Sequence, residues 1–300
     1  MNPVAGVDIG GTKIAVALDD GDVVLRAPTP AGADRILGQV LGLIRDAARG
    51  RELDGVGVGS AGTFDESGTV VASTDLIRGW AGTKVAERLA VELGVPVVAI
   101  NDVHATALGE ARAGAGRDVA RILVASIGTG LGGAFVLDGT VDLGGHGSAG
   151  SLGHVAIPGL DRPCSCGLVG HAEPHASGPG IERTYAEAGG DAVGLPEIGA
   201  RARAGEDAAL EAIRSGGQAL GKALAAAAAL MDPDLIVVGG GPAQLGELLL
   251  EPVRLAYASG SPAPLGTIPI VAAELGPRAA IVGAHAAVRE RLAAPSGAGR

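Results

Sequence analysis

Apolar residues in this chain come in two rhythms. Short apolar runs bounded by Gly, Asp or Asn read as buried strands at 4–9, 14–18, 23–25, 56–59, 95–100, 122–127, 134–137, 235–238 and 268–272. Between them, 34–49 carries Ile36, Leu37, Val40, Leu41 and Ile44 at helical spacing. The stretches 83–93 (closed by Gly94), 104–112, the alanine-rich 208–231, a segment after Pro242, and 279–292 also read as helices. Strands alternating with helices predict an α/β architecture, in which ligands gather at the carboxyl ends of the strands.

The layout occurs twice. A strand at 4–9 runs into Gly10-Gly11-Thr12-Lys13, a second strand, the turn Asp19-Asp20-Gly21 and a third strand. From 121 to 142 a strand again meets a glycine loop, Gly128-Thr129-Gly130-Leu131-Gly132-Gly133, followed by a strand, the turn Asp138-Gly139 and another strand. This internal repeat predicts two related α/β lobes. A third glycine loop, Gly239-Gly240-Gly241-Pro242, follows the strand at 235–238.

Composition narrows the classes. The chain has 300 residues, enough for one large domain or two moderate ones, and a formal net charge of -10. That charge argues against non-specific binding to nucleic acid or anionic lipid. Aromatics make up 2%, too few for base-stacking platforms. No apolar run is long enough for a membrane span, and the start MNPVAGVDIGG lacks the basic and apolar regions of a secretory signal. A cytoplasmic location is expected, with cysteines kept reduced.

The two cysteines fall in one cluster with two of the six histidines: His154, Cys164, Cys166 and His171, spaced H-x9-C-x-C-x4-H. A Cys-x-Cys pair closes poorly into a disulfide. Two thiolates and two imidazoles make a complete tetrahedral set for zinc, and a set filled by protein is structural rather than catalytic. Two buried thiols near unrelated histidines are the alternative. In the first glycine turn, Gly10, Gly11, Thr12 and Lys13 offer amides, a hydroxyl and a cation to polyphosphate, although the Walker spacing is absent. Asp8 can hold Mg²⁺ directly or through water, or merely cap its turn. Asp102, after an apolar strand, can take a proton from an attacking hydroxyl or cap the next helix. Glu173 can bind a polyol or be an ordinary surface carboxylate.

Together DIGGTK (8–13), NDVHATALGE (101–110), IGTGLGG (127–133) and the stretch from Gly153 to Glu173, GH-x9-CSCGLVGHAE, resemble the ROK sugar kinases over nearly the whole chain. The resemblance implies an actin-like (ribonuclease H-like) ATPase fold with two lobes, sugar and ATP meeting in the cleft between them. The lobes are expected at 1–103 plus 282–300, and at 104–281 with the zinc knuckle. Asp102 is then the general base for the sugar 6-hydroxyl. Gly62, Asn101, Asp102, Ser151, His154 and Glu173 are expected at the sugar. Asp8, Gly10, Gly11, Thr12, Lys13, Gly128, Thr129, Gly130, Gly132, Gly239 and Gly240 are expected at Mg-ATP. His154, Cys164, Cys166 and His171 match the family's structural zinc ligands, and a homodimer or dimer of dimers is implied.

Two departures from the family pattern bear on the substrate. His171 stands where a third cysteine is usual. Ser151 stands where glucose and N-acetylglucosamine kinases carry the glutamate of E-x-G-H. N-acetylmannosamine kinases also lack that glutamate, and they share a short loop like Gly59-Ser60-Ala61-Gly62 and a strand end like Ile100-Asn101-Asp102. N-acetylmannosamine is therefore the first substrate expected, with glucose or N-acetylglucosamine second and a non-catalytic sugar sensor a distant third. The family's transcriptional repressors carry a DNA-binding segment ahead of the D-x-G-G-T strand. This acidic chain reaches that strand almost at once, so no nucleic-acid role is expected.

Overall fold

The computed structural model describes residues 1–73 and 77–294. In chain order it runs β1 (Val4–Ile9), β2 (Lys13–Leu18), β3 (Val24–Pro28), α1 (Ala33–Ala48), β4 (Gly55–Ser60), the hairpin β5 (Thr63–Phe64) and β6 (Val70–Ala72), α2 (Val85–Leu93), β7 (Val97–Asn101) and α3 (Asp102–Ala113). There follow β8 (Arg121–Ile127), β9 (Leu131–Leu137), β10 (Thr140–Asp142), α4 (Glu173–Ala176), α5 (Gly178–Glu187), α6 (Leu195–Arg203) and α7 (Asp207–Met231). The chain closes with β11 (Leu235–Gly240), α8 (Glu247–Gly260), β12 (Ile270–Ala272) and α9 (Ala279–Ala293). Among the described residues, no helix is long and apolar enough to cross a membrane.

Two compact units emerge, one from 1–117, 139–149 and 277 onward, the other from 118–138 and 150–276. In the first, the sheet order is β3-β2-β1-β4-β7. β1 pairs antiparallel with β2 and parallel with β4, which pairs parallel with β7. In the second, β8 pairs antiparallel with β9 and parallel with β11, which pairs parallel with β12. The same pairing scheme thus occurs in each unit, as the repeated sequence pattern predicts. Each unit has its own apolar core, Val7, Val16, Ile36, Val40 and Val58 in the first and Leu123, Ile181, Ile213, Leu224 and Val238 in the second. β4 is buried along its whole length because helices cover both faces of its sheet, and its residues are accordingly apolar or small.

The first unit holds α3, although the expected boundary fell between residues 103 and 104. The reason is a backbone contact between α3 and α9. A Cβ added to Gly283 would lie 1.7 Å from the Ala105 carbonyl oxygen, and one added to Gly109 would lie 2.2 Å from that of Ala279. Neither approach is open to a larger residue, so the two helices pack without intervening side chains. Residues 295–300, expected with this lobe, lie outside the described residues.

Substituting Gly283→Ala should therefore lower stability by about 1–3 kcal/mol or more through overpacking. Gly42→Ala, on α1 with nothing within 4 Å of the added carbon, should instead stabilise by about 0.5–1 kcal/mol. Chemical denaturation midpoints check both, and a neutral Gly283→Ala would contradict the backbone packing of α3 on α9.

Candidate functional site

The carboxyl ends of β1, β4 and β7 place the candidate residues of the first unit. In the parallel register Asp8 lies opposite Gly59, and Gly59 opposite Ile100, so Asp8 and the Asn101-Asp102 pair share one edge of the sheet. Gly10, Gly11, Thr12 and Lys13 form the tight connection from β1 to β2, closed by the Gly10 amide donating to the Lys13 carbonyl at 3.0 Å. The Thr29 hydroxyl donates to the Gly10 carbonyl at 2.7 Å and holds that turn to β3.

Asn101, not Asp102, caps α3. Its Oδ1 accepts from the amides of Val103 at 2.8 Å and His104 at 3.2 Å. Its Nδ2 donates to the Gly62 carbonyl at 2.9 Å, joining two residues singled out in the sequence. Asp102 occupies the first helical position, where its Oδ1 accepts from the Val103 amide at 3.0 Å, and its own backbone amide and the Asn101 side chain also stabilise the carboxylate. Capping falls to Asn101, so the Asp102 carboxylate is not committed to that role. Burial pushes its pKa up, against the lowering effect of nearby backbone amides, which makes it a stronger base than a solvated aspartate. His104 is buried, its pKa lowered by burial, and its Nε2 lies 3.1 Å from the Ala149 carbonyl. Burial, and then the Asp102 charge, push the Asp8 pKa up to about 6, while Lys13 pulls it down.

In the second unit the Leu152–His154 stretch forms a single 3-10 turn. A Cβ on Gly153 would lie 2.2 Å from the Leu131 carbonyl oxygen and 3.2 Å from the Glu173 Cβ, so glycine is what lets this turn rest on β9. Ser151 precedes the turn with its side chain exposed. The knuckle itself is a reversal at Cys164-Ser165-Cys166-Gly167. The Cys164 amide donates to the Leu168 carbonyl at 2.7 Å and the Gly167 amide to that of Cys164 at 3.0 Å.

The ligand atoms of His154, Cys164, Cys166 and His171 all lie within 4.8 Å of one another. Cys164 Sγ is 3.6 Å from His154 Nδ1, and Cys166 Sγ is 3.3 Å from His171 Nδ1. Tetrahedral zinc with ordinary Zn–S and Zn–N bonds needs donor separations of roughly 3.3–3.8 Å, so the donor set and the two His–Cys separations fit such an ion. Both histidines turn Nδ1 toward sulfur, which leaves Nε2 of His154 as the nitrogen directed away from the group.

Glu173 begins α4 immediately after this cluster. Its Oε2 accepts from the Leu131 amide at 2.9 Å and its Oε1 from the Ser165 hydroxyl at 3.1 Å. Below it Arg162, buried, donates to the carbonyls of Pro174 and Gly180, each at 3.1 Å, and pairs with Glu187 at 2.6 Å. The loop from Gly128 to Gly133 is in turn held to α5, whose Gly178 amide donates to the Gly128 carbonyl at 2.9 Å.

A cavity of about 530 Å³ opens beside this loop, lined among others by Gly128, Thr129, Pro179, Leu195, Arg203 and Gln244. Gly241, just past the predicted Gly239 and Gly240, also reaches it. Sequence reading had the glycine loops but missed Pro179, Leu195, Arg203 and Gln244. These come from α5, α6 and the turn after β11, and only the Pro at the start of α5 and α6 carried a local signal. A groove of about 560 Å³ near Arg45, Leu53 and Val95 contains none of the candidate residues.

Comparison with known proteins accounts for this combination of fold and residues. The ROK family model matches residues 4–291, and the chain belongs to the ROK family. Glucokinase of Streptomyces coelicolor is 32% identical over 97% of this chain and 98% of its own length. The bifunctional enzyme NanE/NanK of Brucella melitensis is 34% identical over 94% of this chain and 53% of its own. The crystal structure of a ROK family glucokinase from Streptomyces griseus, in complex with glucose and AMPPNP, superposes with a TM-score of 0.84. It is 31% identical and covers 96% of this chain and 99% of that one. The fold is the actin-like ATPase fold of these kinases.

The raised Asp8 pKa has a consequence for stability. Between the usual carboxylate range and about pH 6 the folded chain keeps a proton that the unfolded chain has lost, so stability from this group falls as pH rises through that window. Asp8→Asn should remove this penalty. Without ligands the variant should melt above the wild type at pH 8, with the gap closing toward pH 4. Equal melting temperatures at pH 8 would contradict the shift.

Proposed function

We propose that this chain, a sugar kinase of the ROK family, transfers the γ-phosphoryl group of ATP to the 6-hydroxyl of an N-acetylhexosamine, with N-acetylmannosamine the first substrate. The observation that carries the catalytic reading is Asp102. It lies at the end of β7 with raised basicity, while the capping that would otherwise occupy a carboxylate there is done by Asn101. In this reading Asp102 accepts the proton of the sugar hydroxyl as its oxygen attacks the γ-phosphorus, and ADP leaves. Asn101, Gly62, Ser151, His154 Nε2 and Glu173 orient the sugar.

Asp8, Gly10, Gly11, Thr12 and Lys13 in the first unit, and Gly128, Thr129, Gly130, Gly132, Gly239 and Gly240 in the second, take the nucleotide. Backbone amides and the Lys13 cation suit its phosphates. The cavity beside Thr129 and Arg203 has room for the nucleoside. Mg²⁺ bound with ATP would neutralise phosphate charge, and Asp8 is the carboxylate that would hold it in this reading. Zinc, held by His154, Cys164, Cys166 and His171, would brace the segment that presents His154 and Glu173 rather than act on substrate. The place of action is the cytoplasm, as a homodimer or dimer of dimers.

Support for the substrate comes from Ser151, a short side chain where a glutamate stands in the family's glucose kinases. Glucose is the second reading, favoured by full-length similarity to glucokinases. An ADP-release assay comparing kcat/KM for N-acetylmannosamine, N-acetylglucosamine, glucose and mannose separates them. The expected preference is N-acetylmannosamine, and a glucose preference overturns it.

Asp102→Asn should lower kcat by about a hundred- to ten-thousand-fold while sugar binding, followed by calorimetry, persists. Near-normal turnover would remove the general-base role. Elemental analysis should find about one zinc per chain, as one four-ligand set implies, and protein purified without any would remove the brace.

A further inference from the structure

The carboxylate of Glu173 is held from two directions. Oε2 accepts from the Leu131 amide at 2.9 Å, and a Cβ placed on Gly130 would lie only 2.6 Å from the same oxygen. Oε1 accepts from the Ser165 hydroxyl at 3.1 Å, with the Cys164 sulfur a longer and weaker neighbour at 3.9 Å. A single hydrogen bond leaves a glutamate carboxylate free to turn, because its terminal torsion is broad and roughly two-fold. A second bond, on the other oxygen and from a different segment, fixes the plane of the group. Ser165 is suited to that task because its backbone has little freedom. It sits between two residues of the Cys/His group, inside a reversal closed by the Cys164 and Gly167 amides.

We propose that Ser165 is a positioning residue for sugar recognition: it orients the Glu173 carboxylate so that the remaining lone pairs face the sugar hydroxyls before substrate arrives. The proposal rests on the reading of Glu173 as a sugar contact. Ser165 contributes no atom to the Cys/His group, although its hydroxyl lies 4.0 Å from the Cys164 sulfur, so zinc content must be followed alongside kinetics to separate its hydroxyl from the brace. Ordering that is complete before binding need not be supplied by the sugar, and the benefit falls on affinity. Because the Leu131 amide stays on Oε2, loss of the hydroxyl should leave the nucleotide loop in place.

Ser165→Ala and Ser165→Thr, assayed with the sugar that the wild type turns over best, test this. The alanine variant should raise the sugar KM about three- to tenfold, the scale of one partly exposed hydrogen bond to a charged group. Its kcat and its KM for ATP should stay within about twofold of wild type, with zinc content and melting temperature unchanged. The threonine variant, which keeps the hydroxyl, should return the sugar KM to near the wild-type value. An alanine variant with an unaltered sugar KM overturns the proposal. So does one in which sugar KM, ATP KM, zinc content and melting temperature all worsen together, since that marks a purely structural role. A wild type inert toward every sugar removes the kinase reading and this proposal with it, whereas an active wild type indifferent to Ser165→Ala removes this proposal alone.

Discussion

Parallel pairing of strands is the constraint on which the rest of the molecule depends. Strands that run the same way deliver their carboxyl ends to one edge, and hydrogen bonding sets which residues meet there. In the first unit the β1–β4–β7 register brings Asp8 into the electrostatic neighbourhood of Asp102, across almost a hundred residues of sequence. In the second, β8 and β11 bring the loops at Gly128 and Gly240 side by side. Such pairing demands strands covered on both faces, which explains why the sheets are built from Val, Ile, Ala and Gly rather than from alternating polar residues.

That arrangement carries an electrostatic cost. Two aspartates are kept away from water at one sheet edge, and each has its pKa raised, chiefly by burial. A surface aspartate would be more stable and less basic. Perturbed carboxylates of this kind are what the proposed reaction would use, one as a base and one beside Mg-ATP. The Cys/His group and the Glu173 carboxylate show the complementary principle. Their geometry is over-determined by short backbone turns, close glycine contacts and the buried Arg162.

How much was legible in the chain follows the range of each interaction. The strand positions, the repeat, the long helices α1, α7 and α9 and the glycine loops were readable because each rests on local periodicity or turn chemistry. Whether Asp102 caps the next helix was open, because its place after a strand and before a helix suits a cap as well as a base. In the folded chain Asn101 satisfies the two amides and takes that role. The segment 173–203 was harder. Its helices are short, begin at Pro or Gly and have weak periodicity, so the cavity residues Pro179, Leu195 and Arg203 gave little warning.

By itself, then, the sequence determined the α/β class, the family and the membership of the His154, Cys164, Cys166 and His171 group, since rare residue types at short spacings suffice for these. Tertiary structure alone decided which atoms converge. That α3 lies against α9 through Gly109 and Gly283, that Nδ1 of both histidines faces sulfur, and that Glu173 is shared between the Leu131 amide and Ser165 all depend on contacts between segments. Spacing along a chain states which groups are available. Only packing, which closes gaps to within a few tenths of an ångström, states which of them touch.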